Sequence, residues 1–208
     1  MIQSEKPLTS MVYEHIYASV INGNITSNDI LTESGLVNQF GVSKSPVREA
    51  LIILCEEGML KSIPRMGYKV MQLLPGQVEE LTDARYALEP FLLKHGWDHI
   101  GNAELSKLEN HLMVSKRDEL INTTVLANWE RNSAFHLLIA GFAKNDYLLS
   151  MLDRTLRACA RASTQYFFHT RNIPHGEHDL HDDMLDALRQ KDLERALTIL
   201  NEDIHQIV

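Results

Sequence analysis

Cysteine is scarce in this chain, and positive charge is outweighed. Cys55 and Cys159 are its two cysteines among 208 residues, which excludes a disulfide-stapled secreted scaffold; both fall in helical apolar settings and read as core thiols in a reduced compartment. Twenty Lys+Arg against 28 Asp+Glu leave a net charge of -8, which argues against nucleic-acid binding through bulk basicity. No apolar run approaches the roughly 20 residues of a membrane span, and the polar start MIQSEKPLTS lacks a leader's apolar core. A cytoplasmic location is expected. A nucleotide-binding glycine loop and a nucleophile elbow are also missing. What remains is a chain of ordinary composition, 44% hydrophobic and 23% charged, long enough for one large or two modest domains.

The charge is unevenly placed. Residues 1-73 hold six Lys+Arg against seven Asp+Glu, and five of those six cations lie between Lys44 and Lys69. Within that interval, Gly41 to Leu51 reads as a turn followed by a helix. Val47, Ala50, Leu51 and Leu54 recur at helical spacing and face inward, while Lys44, Ser45 and Arg48 occupy the exposed N-terminal end. Ser43 or Ser45 can cap it, and Pro46 is tolerated because first-turn amides lack intrahelical partners. Such an end suits a DNA major groove, where phosphates take cations and base edges take Lys, Arg and Ser. A short helix capped by Thr32 leads into it through Gly41, which is the helix-turn-helix layout. Met59 to Val70 reads as two short strands around a turn holding Arg65 and Gly67. An earlier helix over about 8-22, with Met11, Val12, Ile16, Val20 and Ile21 on one side, would brace the long one.

The strings GVSKSPVREAL, LCEEGML and PRMGYKV resemble the winged-helix domain of GntR-type bacterial transcription regulators. The resemblance implies that the chain binds a double-stranded DNA operator as a homodimer. It implies contacts from Lys44, Ser45 and Arg48 in the recognition helix and from Arg65 and Gly67 in the wing. One departure stands out: some members carry an arginine directly after the glutamate matching Glu33, and this chain has Ser34.

Leu73-Leu74-Pro75-Gly76 is a short break, giving domains at 1-73 and 77-208. Beyond it helical periodicity recurs and strand patterns do not. Helices are expected at about 77-96, 102-118, 123-143, 146-168, 175-190 and 192-206, with breaks at Gly96 to Gly101, Asn122, Asn145 and Asn172 to Pro174. The fold class is therefore mainly α: an N-terminal winged helix-turn-helix with a small β wing, then an all-α bundle. Arg85-x-x-Leu88-Glu89, Asn132-x-x-Phe135-His136, Asn145, His181 and Asp192-x-x-x-Ala196 resemble the FCD-type helical domain of the FadR-like subfamily. That resemblance implies an effector-binding and dimerisation role for residues 77-208.

Several polar residues fall on faces that should be core. One inward stripe reads Val125, Trp129, Asn132, His136, Ile139 and Ala143. His178, His181, Met184, Leu185 and Leu188 share a side of the next, and Ala196, Leu200, Asp203 and Ile207 align on the last. An unpaired buried polar group costs a few kcal/mol, about 1-3 by mutational measures, so these groups need partners. A divalent metal such as zinc, nickel or manganese would satisfy them together. The FCD resemblance matches Asn132, His136 and His181 to metal ligands and expects a histidine where Asp203 stands; His178 is a possible substitute. A hydrogen-bonded polar cluster or a metal-free ligand pocket are the alternatives.

Arg85, on a stripe with Leu81, Leu88 and Leu92, reads either as an i,i+4 ion pair with Glu89 that contributes little or as a clamp for a carboxylate effector. Arg154, Arg157 and Arg161 read as a solvated or interface face. His15, His95, His99, His111 and His169 join no convergent set. The expectation is a ligand-responsive regulator, a repressor relieved by a small carboxylate, and not an enzyme. A helical-bundle metalloenzyme with an accessory winged helix is the alternative, and it lacks a base at a motif spacing beside the histidines.

Overall fold

The computed structural model describes residues 7-167 and 180-206, which fall into two compact units, Met1–Leu73 and Leu74–Val208. In the first, α1 (Leu8–Ile21) packs chiefly on α3 (Lys44–Glu56). Val12, Ile16 and Val20 repeat every fourth residue and are buried, as are Val47, Ala50, Leu51 and Leu54 on α3. Met11 lies off that stripe and is exposed, whereas Tyr17 takes a buried place that the apolar periodicity did not assign to it. α2 (Glu33–Phe40) begins at Thr32, whose Oγ1 accepts from the Gly35 amide at 3.1 Å, and ends at Gly41 in the left-handed conformation with φ 64°.

The start of α3 corrects one expectation. Ser43 holds the N-cap position, but neither serine caps the helix: Ser43 makes no side-chain cap bond, and the Ser45 hydroxyl donates to Glu49 Oε1 at 3.0 Å. Ser45 is already the second residue of the helix, past the cap position, and its hydroxyl serves as a donor to the following turn instead. Pro46 is the third helical residue, where its missing N–H is harmless.

β1 (Leu60–Ile63) and β2 (Gly67–Val70) form an antiparallel hairpin with Leu60 opposite Val70, Lys61 opposite Lys69 and Ser62 opposite Tyr68. The hairpin is tied to the chain just before α2 by two backbone bonds of 2.8 Å between Leu31 and Tyr68. Gly67 makes this closure possible. Its φ is 130°, and an added Cβ would stand 2.2 Å from the Leu31 carbonyl oxygen.

The second unit is helical throughout its described residues: α4 (Pro75–Gly96), a 3-10 turn over Trp97–His99, α5 (Asn102–Glu119), α6 (Val125–Gly141), α7 (Asp146–Phe167), α8 (Leu180–Arg189) and α9 (Leu193–Gln206). α4 packs against α6, α7 and α9, and α5 against α6 and α8. Pro90 lies inside α4. Asn145 marks a break as expected, its Oδ1 accepting from the Leu148 amide at 3.1 Å at the start of α7. The break at Asn172 to Pro174, His169, and the beginning of the helix expected from 175, His178 included, lie outside the described residues.

Two apolar clusters make the bundle core. One joins Leu93, Leu108, Phe135, Met184, Leu188 and Leu200 across α4, α5, α6, α8 and α9; the other joins Leu92, Ala140, Leu152 and Leu156 across α4, α6 and α7. α4 and α6 contribute to both, and they also carry three buried polar groups, Arg85, Glu89 and His136.

Candidate functional site

Arg85 and Glu89 are one helical turn apart on α4 and both are buried, at 1% and 3% exposure. Arg85 Nε donates to Glu89 Oε1 at 2.6 Å, and the other carboxylate oxygen accepts from His136 Nδ1, also at 2.6 Å. His136 reaches across with its second nitrogen to Asp203 Oδ2 at 3.1 Å, and His181 Nε2 meets the same oxygen at 3.2 Å. α4, α6, α8 and α9 thus contribute one connected chain of charges.

The electrostatics follow from this order. Burial works against a charged His136, but the carboxylates of Glu89 and Asp203 outweigh it and hold the imidazolium up to about 9, with Arg85 opposing. Asp203 is held well below the ordinary carboxylate range despite burial, by His136 and then His181. Glu89 is lowered against its own burial by His136 and Arg85. Both ring nitrogens of His136 are therefore donors already committed to carboxylates. Arg85 Nη2, at 3.4 and 3.3 Å from them, is packed beside the ring rather than hydrogen-bonded to it.

A pH dependence follows for the metal-free chain. Because the folded state raises His136 above its ordinary 6.5, its contribution to stability is complete below about pH 6.5. It is lost as pH rises through about 9. Thermal melting after chelation should show a falling Tm over that interval, and His136→Gln should remove this component. A Tm that is flat from pH 6.5 to 9 would contradict the carboxylate-held imidazolium.

His181 is the least buried member, with 19% of its side chain exposed. Its ring stacks on Phe135 with centroids 3.9 Å apart and planes 24° from parallel, which fixes the direction of Nε2. α8 is joined to α5 by apolar packing and by ion pairs from Lys116 to Asp182 and from Arg189 to Glu109. Such surface pairs add little energy, so the apolar contacts hold the helix and the pairs help set its register.

Donor atoms of His136, His181 and Asp203 all lie within 4.8 Å of one another. Ligands at about 2.1 Å from an ion stand about 3.0 Å apart at right angles and about 3.4 Å apart at tetrahedral angles. The separations of 3.1 and 3.2 Å, hydrogen-bond distances in the metal-free chain, also fall in that range, so these residues fit a divalent cation that displaces the proton from His136 Nε2. Asn132 precedes His136 by one turn, and its buried Nδ2 has no hydrogen-bond partner. Nothing in the amide's own bonding fixes its orientation; turning it over would place its oxygen, a ligand atom, at that point.

Each expectation in the bundle now has a location. Arg85 is an ion pair with Glu89, but a buried one, so the surface estimate of its worth does not apply. Its Nη1 has no hydrogen-bond partner, an unused donor beside the cluster. Arg154 and Arg157 are exposed, whereas Arg161 is buried at 8% exposure, so the three arginines do not form one solvated face. Cys159 is a core thiol, raised to about 11 by burial with Arg85 opposing and Glu89 adding; Cys55 is half-buried. Glu89 is the residue the sequence reading missed as a site member. Its place one turn after Arg85 has the spacing of an ordinary surface ion pair, so spacing alone does not single it out.

In the first unit, Lys44, Ser45, Arg48 and Arg65 are all exposed. Arg48 Nε donates to Glu33 Oε2 at 2.8 Å. Arg65 stands in the wing turn with φ 67°, a left-handed conformation that costs a non-glycine residue about 1 kcal/mol. Lys61 and Lys69 face each other across the hairpin and are both exposed, a repulsive pair that a polyanion would relieve. Gly67 has its structural task against Leu31. Ser34, where some relatives carry arginine, lies 3.5 Å from Thr32 Oγ1.

A winged helix-turn-helix followed by a helical bundle with a buried histidine and carboxylate cluster defines a DNA-binding regulator carrying a sensing domain. The chain belongs to the GntR family of bacterial regulatory proteins with an FCD domain: residues 8–70 match the gntR-family model and residues 80–206 match the FCD domain. It is 29% identical over 147 residues to the HTH-type transcriptional regulator YdhC of Bacillus subtilis (strain 168), covering 71% of this chain and 66% of that protein. It is 27% identical over 202 residues to the gluconate operon transcriptional repressor of Bacillus licheniformis, covering 90% of this chain and 78% of that one. Among solved structures, E. coli McbR/YncC shares the fold with a TM-score of 0.78 at 23% identity, over 97% of this chain and 95% of that one. The matched relatives are transcription regulators rather than enzymes. No helix among the described residues is long and apolar enough to cross a membrane.

Proposed function

We propose that this transcription regulator binds its operator as a homodimer and is released by a small carboxylate held in the FCD domain together with a divalent metal. The convergence of His136, His181 and Asp203 on one point, beside the unpartnered Nη1 of Arg85, carries the reading. His136, His181 and Asp203 would hold the ion, with Asn132 as the fourth protein ligand. When bound, the metal supplies positive charge and open coordination positions for oxygen ligands. Arg85 offers the second anchor, a guanidinium donor in a dry site where a carboxylate gains most from pairing. One relative is a gluconate operon repressor, and gluconate is a hydroxy acid of this chemical type. On the DNA side, Lys44, Ser45 and Arg48 would meet the major groove, with Arg65 and the turn at Gly67 reaching from the wing.

Elemental analysis of chain purified without chelator or histidine tag, with melting before and after EDTA, tests the sensing half. Close to one metal per chain and a Tm lowered by EDTA are expected, both lost in the His136→Ala, His181→Ala double variant. A metal-free preparation whose Tm ignores EDTA and added zinc, nickel or manganese would overturn the metal and leave the Arg85 site to be tested with carboxylates alone.

A further inference from the structure

Two acidic residues pair with proposed DNA readers, Glu49 with Ser45 from within the same helix and Glu33 with Arg48 from a different one. Glu33 is the first residue of α2, its side chain 27% exposed, and its Oε2 accepts from Arg48 Nε at 2.8 Å while the Arg48 side chain is 58% exposed. Tyr68 lies near the same pair: burial pushes its hydroxyl up, the Glu33 charge adds to this, and Arg48 opposes it. The backbone bonds between Leu31 and Tyr68 place Glu33 two residues beyond the point where the wing is tied down. One carboxylate therefore stands where α2, α3 and the wing come together.

Electrostatically, a carboxylate at a DNA interface is unfavourable, since it repels phosphates and neutralises a useful cation. What it gains is geometry. An arginine side chain is long and flexible, and its guanidinium presents five donors in a planar fork. Fixing the fork through Nε restrains the side chain while committing one donor, and leaves both terminal amino groups for the N7 and O6 acceptors of a guanine. A lysine at the same place would gain nothing from such a bond.

We propose that Glu33 is a positioning residue for Arg48, present to make the arginine read sequence rather than merely attract phosphate. The inference rests on the reading of Arg48 as a base-contacting residue. Two simpler roles give different results. A first-turn acid also favours the start of α2, and that contribution alone would move Tm and leave sequence discrimination unchanged. A charge that only competes with DNA would weaken binding to every duplex alike.

The test uses the full chain, a duplex enriched by the wild-type protein from a random-sequence pool, and a scrambled duplex of the same length. Glu33→Ala should bind the enriched duplex about tenfold more weakly and the scrambled duplex as well or better, so that discrimination collapses. Glu33→Gln, which keeps an acceptor for Nε but not the charge, should retain most of the discrimination. Glu33→Ala in an Arg48→Ala background should cause no further loss for the enriched duplex. Tighter binding of Glu33→Ala to both duplexes, or unchanged discrimination, would overturn the proposal. Full discrimination by Arg48→Ala would instead overturn the reading beneath it, and the two failures are told apart by which variant keeps its preference. The Gln variant keeps the test open if Ala at this position lowers folding.

Discussion

Glu89→Gln is expected to destabilise the chain by about 3-5 kcal/mol, the cost of breaking a buried ion pair from one side, and so to lower Tm by about 10 °C for a chain of this size. The reason lies in the count of donors. Glu89 accepts from Arg85 Nε through one oxygen and from His136 Nδ1 through the other, with all three groups buried. Glutamine has a single oxygen, so its amide nitrogen must face either the guanidinium or Nδ1–H. If it faces His136, the imidazole must accept at Nδ1 and keep its proton on Nε2, the nitrogen proposed to hold the metal. Metal affinity should then fall by about ten- to a hundredfold, as for other partners that orient ligating histidines. Calorimetric melting measures the first effect and metal titration the second. A variant with wild-type Tm would mean that water replaces the lost acceptor and that the site is wetter than its burial implies.

Arg48→Ala should cost affinity for the enriched duplex and leave the fold alone. Its side chain is 58% exposed and lies outside the apolar face of α3, so Tm should change little. A bidentate base contact contributes about 1-3 kcal/mol of discrimination, and in a homodimer on two half-sites the loss enters twice, so a fall of about a hundredfold or more is expected. Fluorescence anisotropy at fixed salt gives the number, and circular dichroism checks the fold. Equal affinity of variant and wild type for the enriched duplex would remove α3 as the reading element.

The helices were legible because their apolar positions repeat with one period over many residues, and Thr32, Gly41 and Asn145 mark their ends by local chemistry that does not depend on tertiary packing. His136 and Asp203 were visible for a related reason: each stands on an otherwise apolar stripe, and the structure buries both. Glu89 was not visible as a site residue. At i+4 from Arg85 it has the spacing of a solvated surface pair, and only the packing of α6 and α9 over α4 turns it into the link between a guanidinium and an imidazole. Arg161 misled in the same way, since a repeat of three arginines says nothing about which of them a neighbouring helix covers. Ser45 could not cap because the helix starts one residue before it, a boundary that hydroxyl chemistry alone does not mark, and Ser43 holds the cap position without a side-chain bond.

Pro90 gives α4 a mechanical character. It has no amide hydrogen to donate to the Tyr86 carbonyl one turn earlier, so the helix lacks a rung of its ladder between residues 86 and 90. Proline is a common cause of bends in long helices, and in this 22-residue helix it stands in the C-terminal half. Arg85 immediately precedes the turn between residues 86 and 90, and Glu89 lies within it. The helix's two buried charges thus sit where its hydrogen-bond ladder is one rung short.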